Sequence, residues 1–288
     1  MNRGIKLLRS FQIHPLLWLI MIIAVITGYF IELFLLVFII FIHELGHACV
    51  AEFFQWRIKK INLLPFGGVV EMDEHGNRPL KEEFIVTIAG PVQNLWLFGL
   101  AFLLFQTSIL PENIYFLFIQ YNFMVLFFNL LPIWPLDGGK LAFIWLSRNK
   151  AFPMAHRMTI YFSFIGTFIF TLFTLLFMPQ NVNAWLIIGF LLFSLYHERK
   201  QSRYVFIRFL LERYYGKKNN VSSLKPLIVK EDEMIIDVLE RFQRGYKHPI
   251  IVNNDGKEKG SLDENELLHA YFTEKQITSR IGDLLYLY

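Results

Sequence analysis

Residues 10–56 contain no Lys or Arg, and apolar side chains dominate from Phe11 to Phe54, yet the stretch FIHELGHACV, residues 41–50, sets two histidines and a glutamate inside that run. One membrane-spanning helix takes about 20 residues, so a run of this length reads as two spans in succession. An ionisable group placed in lipid costs several kcal/mol unless it faces a partner or a polar cavity. His43, Glu44 and His47 are therefore the first residues to which a function is assigned.

The same pattern continues along the chain. Lys and Arg are also missing from 82–139 and 158–198, and helices of spanning length are expected near 13–31, 33–54, 83–106, 114–136, 158–178 and 182–197. Basic residues fall in alternate gaps: Arg57, Lys59, Lys60, Arg78 and Lys81 in one, Lys140, Arg148, Lys150 and Arg157 in another. The gaps GYFIE, QTSILPEN and MPQNVN carry none. With Arg3, Lys6 and Arg9 inside, this alternation puts both termini in the cytoplasm. A composition of 55% hydrophobic residues with 31 Phe excludes an ordinary soluble globule. The first apolar segment is too long for a signal peptide and lacks a small-residue cleavage site, so it reads as a span. Cys49 is the single cysteine and cannot form an internal disulfide; turned off the histidine face, it reads as a small packing hydrophobe.

After Glu198 the composition changes. RKQSRYVFIRFLLERYYGKK, residues 199–218, reads either as a helix lying on an anionic leaflet or as a connecting helix with a solvated basic face. From 223 onward strand and helix patterns alternate: PLIV, EDEMIIDVLERFQRG, HPIIVNNDG, KGSL and DENELLHAYF. The expected organisation is a polytopic α-helical membrane domain over 1–198, a basic amphipathic linker over 199–222 and a small α+β cytoplasmic domain over 223–288. His248 and His269 in that tail read as ordinary surface residues.

His43 and His47 stand four apart, so on a helix both imidazoles leave one face and can meet a single ion, as in helical HExxH zinc sites. Zinc lowers the pKa of water to about 7, and a carboxylate beside it can take the proton and return it to a leaving amine. Glu44 is the candidate for that carboxylate. A third ligand is needed at similar depth. Glu32, His14 and His197 lie near span ends, and Asp73, Glu74 and His75 in a loop, which leaves Asp137 in FNLLPIWPLDGGK. There Pro132 and Pro135 would break the helix, while Gly138 and Gly139 allow close backbone approach. The alternative for Asp137 is a helix-terminal carboxylate at the membrane surface.

Together, His43-Glu-Leu-Gly-His47, Ala89-Gly-Pro-Val-Gln-Asn94 and Asn129-Leu-Leu-Pro-Ile-Trp-Pro-Leu-Asp137-Gly-Gly closely resemble the paired motifs and GP-x-x-N segment of the site-2 protease family of intramembrane zinc metalloproteases. The resemblance covers about residues 40–145. It implies His43, His47 and Asp137 as zinc ligands and Glu44 as general base. Six spans followed by one cytoplasmic CBS-like domain is similar to the sporulation branch, which trims the prosequence of a membrane-associated sigma factor precursor. That branch implies regulatory membrane proteins as further partners and no direct contact with nucleic acid. Asn129 reads as a donor that positions substrate, or else as a helix-to-helix hydrogen bond. INLLPFGGVVEMDE, with Gly67 and Gly68, reads as a strand or hairpin whose edge can pair with an extended substrate.

The tail resembles a single CBS domain, a module that often binds adenine nucleotides. Gly260, Asp263 and Glu266 stand where the family has G-x-x-T-x-x-D; Asp in place of Thr adds negative charge near a phosphate, and Glu266 is the residue placed to meet the ribose of ATP. One CBS unit implies pairing between chains and hence a homo-oligomer. Two other functions are weighed: a CAAX-type membrane metalloprotease, whose third ligand is a downstream Glu, and a CBS-gated transporter or channel.

Overall fold

The computed structural model describes residues 11–13, 15–64, 67–72, 78–216, 223–254, 257–276 and 278–285. His14, Asp73, Glu74 and His75 lie outside them. The chain forms two compact units, Met1–Glu74 with Lys81–Ala142 and Phe162–Leu195, and His75–Leu80 with Phe143–Tyr161 and Tyr196–Tyr288.

In the first unit, β1 (Phe11–Ile13) leads into α1 (Pro15–Thr27) and α2 (Phe30–Phe53). A small sheet follows, formed by β2 (Ile58–Leu64) and β3 (Gly67–Met72). β1 runs parallel to β2, with Phe11 opposite Ile61, and β2 runs antiparallel to β3, with Ile61 opposite Val70 and Leu64 opposite Gly67. The order β1-β2-β3 leaves β3 at an edge. Beyond it come α3 (Leu80–Gln106) and α4 (Glu112–Leu130), the latter started by Pro111, whose fixed φ suits a helix entry. Leu17, Ile39, Ile40, Leu97, Ala101, Phe118 and Val125 join α1 to α4 in one apolar core.

Pro132 and Pro135 keep the chain irregular between Leu131 and Leu136, and a new helix, α5 (Asp137–Ser147), begins at the aspartate itself. A Cβ on Gly138 would lie 2.2 Å from the Leu130 carbonyl oxygen, so the fold-back onto the end of α4 needs a glycine there. α6 (Phe152–Phe177) and α7 (Val182–Tyr215) complete the helices of this part of the chain.

Among the described residues, α2, α3, α4 and α6 are long and apolar enough to cross a membrane, and Leu17–Thr27 is a shorter apolar helix. Their outward faces expose Phe34, Leu103, Phe127 and Phe168, a surface that calls for hydrocarbon rather than water. In α7 the apolar part, 182–197, is shorter, and charged sequence follows from Glu198.

The second unit is built on that continuation. Residues 199–215 extend α7 without a break: Arg199, Lys200, Arg203 and Arg208 stay exposed while Phe209 and Leu210 are fully buried. Phe209 stacks on Phe152 with ring centroids 4.2 Å apart, and the Phe152 amide donates to the Phe242 carbonyl at 2.9 Å. Residues 143–161, read from sequence as part of the membrane domain, therefore cluster with the tail.

The tail itself contains β4 (Ser223–Leu224), β5 (Leu227–Lys230), α8 (Ile235–Leu239), β6 (Tyr246–Lys247), β7 (Ile250–Asn254), β8 (Lys257–Leu262), α9 (Glu264–Phe272) and α10 (Ile281–Leu285). β5 pairs parallel to β7, with Val229 opposite Val252, and β7 pairs antiparallel to β8. α9 starts with a capping box in which the Glu266 side chain accepts from the Asp263 amide.

The described fold corrects one reading of the tail: His248 is fully buried. Its Nδ1 lies 2.8 Å from the Lys225 carbonyl, its Nε2 accepts from the Gln243 amide, and its own amide donates to Glu264. Glu264 in turn is paired with Arg213 of α7 at 2.6 Å, both side chains nearly inaccessible. Burial pushes the His248 imidazole below its ordinary value, and the positive charge of Arg213 adds to the effect.

Candidate functional site

The buried side of α2 carries Ile39, Ile40, His43, Glu44, His47, Ala48 and Ala51, a stripe at helical spacing that faces the core of the first unit. His43 and His47 lie one turn apart on it, with ring planes at 80° and centroids 4.8 Å apart. Their Nε2 atoms are 3.2 Å from each other. Asp137, the first residue of α5, brings Oδ2 to 3.0 Å from both. All three side chains are buried. The other carboxylate oxygen, Oδ1, accepts from Lys140 Nζ at 3.0 Å, which leaves Oδ2 for the histidines.

The outer nitrogens are held as firmly. His47 Nδ1 lies 2.8 Å from the Val86 carbonyl oxygen and His43 Nδ1 lies 2.6 Å from Asn94 Oδ1. A carbonyl oxygen only accepts, so each Nδ1 carries a proton, and Nε2 is the nitrogen that each ring turns inward. Two imidazole nitrogens and a carboxylate oxygen within 3.2 Å of one another form a set of atoms able to ligate one cation. Two His and one Asp with an adjacent Glu match zinc chemistry.

Space around these atoms is made by absent side chains. A Cβ on Gly90 of α3 would lie 2.2 Å from His47 Nε2 and 2.7 Å from His43 Nε2, so a glycine alone lets α3 wall the site. On the other side a Cβ on Gly68 of β3 would lie 2.2 Å from Glu44 Cγ and 2.6 Å from its Oε1. Glu44 is buried beside the histidines, and one ligand atom from each of His43, Glu44 and His47 falls within 4.8 Å of the others.

Of the residues read from sequence, His43, Glu44, His47, Asp137 and Gly68 meet at this point. Gly67 follows Leu64 into the same hairpin and pairs with it. Asn129 is half-buried near the end of α4, where its Nδ2 donates to the Val125 carbonyl of its own helix. Glu266 belongs to the tail, and Cys49 is exposed rather than packed inside. Asn122, Gly90 and Lys140 had no role assigned from sequence; the first is fully buried and bonded to Asn94.

Helices suited to a bilayer and a buried His-His-Asp cluster beside a glutamate define the chain as an intramembrane metalloprotease. It belongs to peptidase family M50, whose model matches residues 31–111 and 106–173. Stage IV sporulation protein FB of Bacillus subtilis (strain 168) is 47% identical over 285 residues, 99% of each chain. A zinc metalloprotease of Methanocaldococcus jannaschii is 27% identical over 88% of this chain and 76% of its own. The solved site-2 protease from Methanocaldococcus jannaschii aligns with a TM-score of 0.53 and 26% identity, covering 65% of this chain and 89% of that one. The family excludes the transporter and CAAX-type readings.

Proposed function

We propose that His43, His47 and Asp137 hold one zinc ion and that Glu44 acts as general base and acid in cleaving a membrane-associated substrate, a sigma factor precursor that loses its prosequence. The observation carrying this reading is the convergence of His43 Nε2, His47 Nε2 and Asp137 Oδ2 within 3.2 Å. Bound zinc supplies Lewis acidity and a water with its pKa near 7. Glu44 takes a proton in bond cleavage and returns it to the leaving amine. Lys140 holds the Asp137 carboxylate in one orientation. The edge of β3, unpaired by any other described strand and running through Gly67 and Gly68, takes the substrate as an added strand, so that the scissile carbonyl is not locked in a helix. Asn129 contributes to holding that segment. The sigma factor substrate is supported by the sporulation branch resemblance and by the sporulation protein among the relatives.

The finer topology belongs to the same reading: six spans, both termini cytoplasmic, a CBS-like tail over 223–288 that pairs copies, and regulatory membrane proteins as partners. ATP is assigned to the tail at Glu266, which with Tyr214, Asn265 and His269 lines an open surface depression. Since Glu266 Oε2 accepts from the Asp263 amide at 2.8 Å, a ribose would be left with Oε1. Calorimetry on the full chain with millimolar ATP decides this point, and absence of heat removes the assignment.

Glu44→Gln tests the central reading. It should retain one zinc per chain and lose cleavage by at least about 100-fold, the lower range for a general base. Undiminished cleavage would sink the mechanism, and native zinc content in a His43→Ala, His47→Ala double variant would sink the ligand set.

A further inference from the structure

We infer that Asn122 is a positioning residue of the metal centre, fixing through Asn94 which nitrogen of His43 keeps its lone pair; the inference rests on the zinc reading above. Asn122 is fully buried in α4, an apolar helix in which an amide without partners would carry a large desolvation cost. Its polarity is imposed from one end. Nδ2 lies 2.8 Å from the backbone carbonyl oxygen of Asn94, an atom that can only accept, so the NH2 group must be on that side. Asn122 Oδ1 then faces Asn94 Nδ2 at 2.8 Å and accepts from it. With its own NH2 so engaged, Asn94 turns Oδ1 to His43 Nδ1 at 2.6 Å. His43 Nδ1 is thereby the donor, and Nε2 is the nitrogen turned to Asp137 and His47.

Each link has one orientation that satisfies its neighbours. Without Asn122 the Asn94 amide is free to reverse and present NH2 to His43 Nδ1. The imidazole would then need its proton on Nε2, the nitrogen required for the metal. His47 needs no such chain, because the Val86 carbonyl alone fixes it. The competing role for Asn122 is adhesion between α3 and α4, which would affect stability and leave the metal untouched.

The test uses the full-length protein in detergent, with Asn122→Leu and, should that variant not fold, the smaller Asn122→Ala. Zinc affinity is read by competition with a chelator, and the visible absorption of the cobalt-substituted protein reports the ligand field. Loss of an outer-sphere partner of a ligating histidine costs metal affinity about 10-fold or more. That loss, a shifted cobalt spectrum, and no further loss when the change is made in an Asn94→Leu background are the expected results. Native affinity with an unshifted spectrum overturns the inference, as does an equal loss in the Asn94→Leu background. A wild-type chain that binds no zinc overturns this inference and the zinc reading together; a zinc-binding wild type with an indistinguishable Asn122→Leu variant overturns this one alone.

Discussion

Replacing Gly90 with alanine tests whether the wall of the metal centre is set by the histidines or can yield. The new methyl group would sit 2.2 Å from His47 Nε2, 2.5 Å from its Cε1 and 2.7 Å from His43 Nε2. Ordinary contact starts at 3.4 Å, so a gap of roughly 1.2 Å has to open. The rings cannot supply it cheaply, because turning either one breaks its Nδ1 bond, to Val86 or to Asn94, at about 0.5–1.5 kcal/mol each. A retreat of α3 would open its close contact with α2, where a Cβ on Gly46 would lie 2.7 Å from the Ala89 carbonyl oxygen. Overpacking of this kind costs about 1–3 kcal/mol. Ligands displaced by about 1 Å reduce turnover by about 100-fold. Purified Gly90→Ala should therefore show weaker zinc retention against a chelator and cleavage down by about two orders of magnitude. Native zinc affinity and native cleavage in a folded Gly90→Ala protein would refute the reasoning.

On the opposite wall, Gly68→Ala crowds Glu44, which supplies the three atoms nearest the new Cβ; cleavage should fall by about 100-fold with zinc content unchanged, and parallel loss of both would show that the hairpin supports the histidines as well. Arg213→Ala leaves Glu264 charged and unpaired in the core of the second unit, at a cost of about 3–5 kcal/mol. Hydrogen exchange at 246–248 should rise, and unchanged protection would contradict the assignment. His248 supplies a pH dependence: the unfolded chain protonates it near 6.5 and the folded chain only below that, so the tail is fully stable above 6.5 and loses stability as pH falls beneath it. If His248→Gln leaves that slope unaltered, another group is responsible.

The residues that converge at the candidate site were legible in the sequence because each breaks a rule of its surroundings. Two imidazoles at helical spacing and an aspartate after a double proline break cannot be accommodated in lipid as packing residues, so they declare themselves. Asn122 gives no such signal. An amide in an apolar helix looks the same whether it binds its own turn, as Asn129 does to Val125, or reaches across to another helix. Gly90 works by what it lacks, and a one-dimensional reading has no means of seeing which atoms fill the space. His248 reads as a surface residue from sequence because the groups that bury and bond it, above all Glu264 with its partner Arg213, are brought in from elsewhere in the chain. The apolar stretches correctly marked helices, but α4 stops at Leu130 and α7 runs on to Tyr215, since prolines end a helix locally whereas a change from apolar to basic sequence does not.

That continuation of α7 bears on how proteins of this kind can be recombined. Composition suggests a joint near residue 222, where a soluble cassette might be exchanged between relatives. A graft cut there would carry Glu264 into its new host without Arg213, and would leave Phe242 without the guanidinium that lies over its ring. A crossover that keeps Arg213 with Glu264 falls upstream of Arg213, inside the helix, at a place the composition does not mark. Heritable shuffling of such tails must therefore bring along the last turns of a helix whose other end is apolar, so the tail and its stalk are expected to diverge as one piece.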